Sequence, residues 1–374
     1  AGRSTADAAA DGSVPKKKKA KAKKKPKPEL TEAEKGRLQP IASSILMTLL
    51  YAARMSRNDL LRPVCRLACN VTRWTHDCDK KLHRLICYVN STLEYRQCGW
   101  IADELSELAP HLYADADFAG CTDTQRSTSG AHLAIEGPYS YFPLIGRSIR
   151  QGCISCSTPE AELVAAHMAW KNLGIPAFDL WDALLPAGWK AHFHEDNQAM
   201  IRVVETGRNP AMRHIGRVHR IAIAWLHERL AAKGIKDPVD LEYTKSEDMA
   251  ADIYTKAFSD PEKWDHALQL IAVFLPKRQQ EVALARLKRL SAAPPEVVSN
   301  DQESAAPAAD GVLNPRAKSQ EGPRTWAPSK TAGNARRNRG RVKRFVSVFS
   351  GSGALAKAFA DMGVPAEGWD IKYC

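Results

Sequence analysis

The sequence predicts an α/β (α+β) core, a mixed sheet of five strands flanked by helices and preceded by a helical segment. Three observations carry that expectation. Between Leu38 and Leu93 apolar residues recur at helical spacing (Ile41, Leu46, Leu49 and Leu50, then Leu67 and Val71, then Leu82, Leu85, Ile86 and Val89), which reads as three amphipathic helices. From Gly99 to Phe258 short apolar strands alternate with helical stretches, the order of a sheet with helices packed on it. The flanking stretches are too rich in Lys, Pro, Ala and Ser to bury a core.

Taken in order, residues 1–36 form a basic tail carrying a lysine run between Pro15 and Pro26, expected to be disordered and to serve either nuclear import or nonspecific phosphate binding, or else as a solubilising linker inside a larger polyprotein. Residues 37–98 are the helical segment and 99–262 the sheet domain. Within that domain, 111–118, 130–136, 148–155, 191–194 and 239–243 read as strands. Helices are expected over 159–173, 197–205, 217–233 and 246–257, the first with Thr158 as N-cap, Pro159 at the first position and Glu160 and Glu162 at the positive end of the dipole. A helical extension over 263–290 precedes a linker at 291–343, and residues 344–374 read as strand, glycine-rich turn, helix and strand.

Composition narrows the class. With 54 Lys and Arg against 42 Asp and Glu, the formal charge is +12, which favours a polyanionic partner, although the N-terminal tail supplies much of the excess. Nine cysteines without a secretory signal argue against a disulfide framework. Cys153 and Cys156 have a C-x-x-C spacing, but no second pair or neighbouring paired His completes a set in sequence, so no zinc is assigned. The longest apolar stretch, Ile41 to Ala53, is too short to cross a bilayer, so no membrane partner is expected.

Four acids stand where apolar residues would be easier: Asp115 in a strand, Glu162 in the first turn of a helix, Asp196 at a strand end and Asp252 in the closing helical stretch. Strand ends and helix starts of such a sheet meet along one edge, where carboxylates can converge. Oxygen ligands of this kind suit Mg²⁺, and paired ions can stabilise the attacking and leaving oxygens of an in-line phosphodiester displacement. Taken singly, each acid could equally be a helix cap or a surface charge.

The words around the acids add to this. Tyr113-Ala-Asp-Ala-Asp-Phe-Ala-Gly120 and Gln125-Arg-Ser-Thr-Ser-Gly130 resemble the opening of the ribonuclease H domain of copia-type retrotransposon polyproteins. Ser157-Thr-Pro-Glu-Ala-Glu162 resembles that family's Ser-Ser-Thr-Glu-Ala-Glu helix start, Glu195-Asp-Asn-Gln198 its Asp-Asn-Gln strand end, and Ala251-Asp-Ile-Tyr-Thr-Lys256 its closing Ala-Asp-Ile-Phe-Thr-Lys. The likeness spans about residues 37–262. It implies a ribonuclease H-like sheet and two-metal hydrolysis of RNA in RNA–DNA hybrids. It also implies Mg²⁺, with Mn²⁺ as a substitute, on Asp115, Glu162, Asp196 and Asp252, which are both the metal ligands and the catalytic residues. Asp117 and Glu160 are second choices. The implied partners are an RNA–DNA hybrid and an upstream reverse transcriptase domain, and the implied location is the nucleus or cytoplasm.

Two departures from the family pattern stand out. Its Lys-His-Ile-Asp segment is here Arg213-His-Ile-Gly216, where His214 could touch nucleic acid or be structural, and Thr244-Lys-Ser-Glu-Asp248 lacks the loop His of cellular ribonucleases H. No Tyr-x-Asp-Asp polymerase motif occurs, so no polymerase activity is expected of the chain itself. The alternative reading is a noncatalytic nucleic-acid-binding remnant of a retrotransposon polyprotein.

Phe345-Val-Ser-Val-Phe-Ser-Gly-Ser-Gly353 and Gly368-Trp-Asp370 resemble the first cofactor-binding turn of S-adenosylmethionine-dependent methyltransferases, with Gly351, Gly353 and Asp370 as the cofactor-binding candidates. Only one strand-helix-strand unit is present, so the fragment is expected neither to bind S-adenosylmethionine nor to transfer methyl groups.

Overall fold

The computed structural model describes residue 31, residues 34–292 and two short strands at 345–348 and 366–369. The basic tail up to residue 30, most of the linker, and Gly351, Gly353 and Asp370 lie outside the described residues. The three helices expected first are α1 (Gln39–Met55), α2 (Leu61–Ala68) and α3 (His76–Ser91). Strands β1 (Arg96–Gln97), β2 (Gly99–Ile101), β3 (Ala109–Asp117), β4 (Thr128–Glu136) and β5 (Tyr141–Arg150) follow. Then come α4 (Thr158–Ala169), α5 (Phe178–Leu184), β6 (Ala191–Glu195), α6 (Gln198–Thr206), α7 (Ile215–Val218), α8 (Ile223–Leu230) and β7 (Val239–Tyr243). The remainder is α9 (Pro261–Leu270), β8 (Val273–Phe274), α10 (Gln279–Ala292), β9 (Phe345–Val348) and β10 (Ala366–Trp369).

The main sheet runs in the order β10-β9-β2-β5-β4-β3-β6-β7. Neighbours from β2 through β5 and β4 to β3 are antiparallel, whereas β3, β6 and β7 are parallel. The mixed sheet flanked by helices is as predicted, but β2 to β7 make six strands rather than five. The three-residue β2 meets β5 at one pair, Trp100 with Tyr141, too short a run to show a period. From the C-terminal fragment, β9 pairs antiparallel with β2, and β10 lies parallel to β9.

Each face of the sheet buries a different cluster. Leu112, Ala114, Leu133 and Phe193 point to one side and pack on Leu163 of α4, Val203 of α6 and Leu226 of α8. Tyr113, from the opposite pleat of β3, joins Leu46, Val64 and Leu82 of the first three helices, together with Ile253, Tyr254 and Leu268. The helical segment therefore covers the second face of the sheet. Arg62 Nε also donates to the Thr255 carbonyl at 2.6 Å, tying α2 to the closing segment.

Other departures have local causes. The third strand occupies 141–150 rather than 148–155, because Pro143 is tolerated beside a register irregularity opposite Leu133 and Ala134; the Gly-Cys-Ile-Ser-Cys stretch beyond it is a loop. Ser157, not Thr158, caps α4, accepting from Glu160 N at 3.4 Å. The helix expected over 217–233 breaks into α7 and α8 at Arg220, whose φ is 59°. The helical extension over 263–290 is interrupted by β8, which pairs with β1 and buries Val273 and Phe274 completely or nearly so; Ala272 just before it has a φ of 52°.

The closing helix expected over 246–257 is replaced by two 3₁₀ turns, Ser246–Asp248 and Ala250–Tyr254. Ala250, Ala251, Ile253 and Tyr254 are all buried, so the segment has no solvent stripe to favour an amphipathic helix. It presses onto the sheet where two glycines stand. A Cβ on Gly130 would lie 2.8 Å from the Ala251 carbonyl, and one on Gly146 2.5 Å from Tyr254 Oη.

Candidate functional site

The closing segment, β3, β6 and α4 meet at one end of the sheet. Parallel pairing of β3 with β6 matches Leu112 with Phe193 and Tyr113 with His194. Continuing that register past the end of β6 sets Asp196 beside Asp115, with side chains on the same face. The tight 3₁₀ turn brings Asp252 up from the helical side, and carboxylate oxygens of Asp115, Asp196 and Asp252 lie within 4.8 Å of one another. Glu162 enters from the other face, on α4. Its oxygens and those of Glu195 and Asp196 form a second group within 4.8 Å, so Asp196 belongs to both.

The four acids predicted as ligands therefore fall in two groups that share Asp196. The second choices lie outside both. Asp117 accepts a hydrogen bond from the Thr128 amide, a turn-stabilising role, and Glu160 turns away toward His214 and His219.

Three residues of the site went unrecognised in the sequence. Glu195 is fully buried, its side chain on the same pleat as Ala191 and Phe193. That period-two pattern was the available signal, because an acid in line with two core residues must have a special partner. Thr255 donates its hydroxyl to Asp115. Lys256 places Nζ 2.7 Å from Asp252, 3.5 Å from Asp115 and 3.9 Å from Asp196. Both lie inside the quoted Ala251–Lys256 word, and only the turn geometry aims them inward.

Burial and mutual repulsion push the acids of the cluster toward their protonated forms. Desolvation, followed by repulsion from Glu195, Asp115 and Asp196, pushes the Glu162 carboxyl up to about 11. Burial and the nearby Asp115 raise Asp252 to about 7. Glu195 is driven well above the carboxylate range by burial and by Asp196 and Asp115. Burial also raises Asp115, with Lys256 and Thr255 opposing it. The ammonium of Lys256, despite its own desolvation, is held above the usual lysine range by Asp115 and Asp252.

Two buried oxygens, Glu162 Oε2 and Glu195 Oε2, have no hydrogen-bond partner. A buried carboxylate oxygen without a donor is costly unless a cation meets it. The donor set is all oxygen and converges from four segments, so the residues fit hard divalent cations such as Mg²⁺.

Beside the acids runs a basic groove. A hollow of about 440 Å³ is lined by Arg62, Arg66, Lys81, Arg84, Lys256 and Trp264, among others. A second hollow shares Arg62, Arg66 and Lys81 and extends to Arg150 at the end of β5. Among the described residues no helix is long and apolar enough to cross a membrane.

The architecture, a mixed sheet flanked by helices with acids gathered at the strand ends, resembles a ribonuclease H-like fold. No family model and no curated protein matches this chain. Two solved structures are similar to it. LC11-RNase H1, isolated from compost, has a TM-score of 0.27 and 18% identity, covering 43% of this chain and 98% of its own. The NurA nuclease from Sulfolobus solfataricus has a TM-score of 0.21 and 7% identity, covering 57% of this chain and 54% of its own.

Proposed function

We propose that this chain is a nuclease of the ribonuclease H type, derived from a copia-type retrotransposon polyprotein, that hydrolyses the RNA strand of RNA–DNA hybrids with Mg²⁺. The observation that carries the reading is the gathering of Asp115, Glu162, Asp196 and Asp252 at one sheet end in two groups that share Asp196, with buried oxygens of Glu162 and Glu195 left without a hydrogen-bond partner. The five sequence words that resemble the copia family supply the finer assignment.

Asp115, Glu162, Asp196 and Asp252 would hold the metal. Bound there, Mg²⁺ supplies charge stabilisation at the attacking and leaving oxygens of the phosphodiester. Thr255 fixes the orientation of Asp115 through its hydroxyl. Glu195, whose carboxyl burial drives well above the usual range, stands beside Glu162 and Asp196. Lys256 compensates the acids whenever the metal is away, and the arginines and lysines of α2 and α3 grip the phosphate backbone alongside. The helical segment thus serves as both a cover for the sheet and a phosphate clamp, in keeping with an upstream reverse transcriptase as neighbour in the polyprotein.

One observation favours the second reading, a noncatalytic nucleic-acid-binding remnant. The Lys256 ammonium alone lies within 4 Å of three of the acids. The two readings part on one experiment, cleavage of a labelled hybrid by the parent and by Asp196→Asn with Mg²⁺. Cleavage by the parent alone supports the nuclease. Equal cleavage by both removes the acids from the chemistry, and binding without cleavage by either supports the remnant.

A further inference from the structure

On the far side of the α4 N-terminus, we propose that Cys156, Glu160 and His214 form a binding site for a zinc-class transition-metal ion, distinct from the acidic centre. One thiol, one carboxylate oxygen and one imidazole nitrogen lie within 4.8 Å of one another there. Sulfur, nitrogen and carboxylate oxygen in a compact group are the donor set that zinc takes, whereas Mg²⁺ prefers oxygen alone. The donors come from three segments: the loop after β5, the first turn of α4, and the residue that opens α7.

Glu160 is held for the purpose. Its side chain is 1% exposed, and His219 Nε2, itself 2% exposed at the side chain, donates to Oε1 at 2.8 Å. The other oxygen, Oε2, lies 3.0 Å from His214 Nε2 and 3.2 Å from the Cys156 amide. His219 is thus a positioning residue that fixes the carboxylate through Oε1 and leaves Oε2 beside Cys156 and the second imidazole. Cys156 is exposed and the His214 side chain 39% exposed, so an ion can enter from solvent. A fourth position falls to water or to Cys153, whose Sγ contacts the Val218 carbonyl at 3.1 Å beside His219.

Binding balances charge and protons. The Cys156 thiol releases its proton to solvent and His214 carries its proton on Nδ1, so a thiolate and a carboxylate neutralise the dication. The sequence placed no metal on Cys153 and Cys156 because no His pair lies near them along the chain. Folding brings His214 and His219 to the same carboxylate. A metal there would pin the turn that bears Arg213, Arg217 and Arg220 to the helix that carries Glu162.

The test uses the untagged full chain, stripped with a chelator, dialysed against Zn²⁺ and assayed for bound metal. The parent is expected to retain one equivalent of Zn²⁺, as is Asp196→Asn. Cys156→Ser and His214→Asn should each weaken binding more than about tenfold, the lower end of what losing even an outer-shell partner costs. Co²⁺ as a spectroscopic probe should show a thiolate-to-cobalt charge-transfer band in the parent that Cys156→Ser lacks. Both substitutions are at solvent-accessible side chains, so folding, checked by circular dichroism, is expected to persist. The proposal is overturned if the parent keeps no stoichiometric Zn²⁺, if Cys156→Ser and His214→Asn bind it within a factor of about ten of the parent, or if Asp196→Asn is the variant that loses it.

Discussion

Glu160 and Glu162 sit two positions apart near the start of α4, are the same residue type, and are 1% and 3% exposed. Their states are opposite. Glu160 is met by two imidazoles and a backbone amide, and these hold its carboxyl below the ordinary range although burial alone would raise it. Glu162 has an oxygen without a partner, faces three other acids, and is pushed up to about 11. Burial by itself therefore does not decide what a carboxylate becomes; the neighbours do. The helix presents a satisfied carboxylate on one side and an acid with an unpartnered oxygen on the other, two residues apart.

The largest expected effect breaks that contrast directly. Glu162→Gln should lower Mg²⁺-dependent hybrid cleavage by about 100-fold or more, the scale on which loss of one preorganised electrostatic group is felt. The same change should raise the melting temperature of the chelated protein, because it removes a source of repulsion. Glu160→Gln should do the reverse to stability, costing about 1–3 kcal/mol as buried His219 and the partly exposed His214 lose their anion. Single-turnover cleavage and thermal melts with chelator check both, and a loss of melting temperature in Glu162→Gln would sink the repulsion argument.

pH sharpens the comparison further. Asp252, raised from 3.8 to about 7, binds its proton more tightly in the folded state, so its contribution is complete below about pH 4 and is lost as pH rises through about 7. Glu160, lowered from 4.5, behaves oppositely: its contribution is present above that value and disappears as pH falls through its lowered folded value. The chelated protein should therefore lose stability between about pH 4 and pH 7, Asp252→Asn should lessen that loss, and Mg²⁺ should oppose it. A pH-independent melting curve for the chelated parent would contradict the assignment.

Lys256→Met should have a smaller effect. Its half-exposed ammonium contributes no more than about 1 kcal/mol to the metal-free fold, and its removal should tighten Mg²⁺ binding by calorimetry. The smallest change falls in the groove. Arg66→Ala and Arg84→Ala should each reduce the slope of log affinity against log salt for a hybrid by about 0.9, one phosphate contact apiece. An unchanged slope in both would move the nucleic acid elsewhere on the surface.

Much of the sheet domain was legible because its signals are local. Strand β7 matches its sequence expectation over 239–243, and the three opening helices follow from apolar spacing alone. The misreadings cluster where distant contacts overrule local preference. The strand expected over 148–155 forms over 141–150, where an irregularity in pairing with β4 accommodates Pro143. The segment before Lys256 has helical composition, yet packing between the sheet and the first helices leaves it as 3₁₀ turns. Glu195 was quoted within a motif and passed over, although its strand parity aligned it with Ala191 and Phe193.

The sequence by itself determined the three opening helices and the alternation of strands and helices that follows, and it offered the four acids as candidates, because periodicity and residue type are written in consecutive positions. Tertiary structure alone decided which of Glu160 and Glu162 faces the acids, that Glu195, Thr255 and Lys256 join them, and that Cys156 lies beside His214. The physical reason is that a carboxylate's state depends on charges and donors a few ångströms away in space. Those neighbours come from parallel strand register, from a turn pressed onto glycines and from helices on two faces of one sheet, none of which is encoded in the spacing of neighbouring residues.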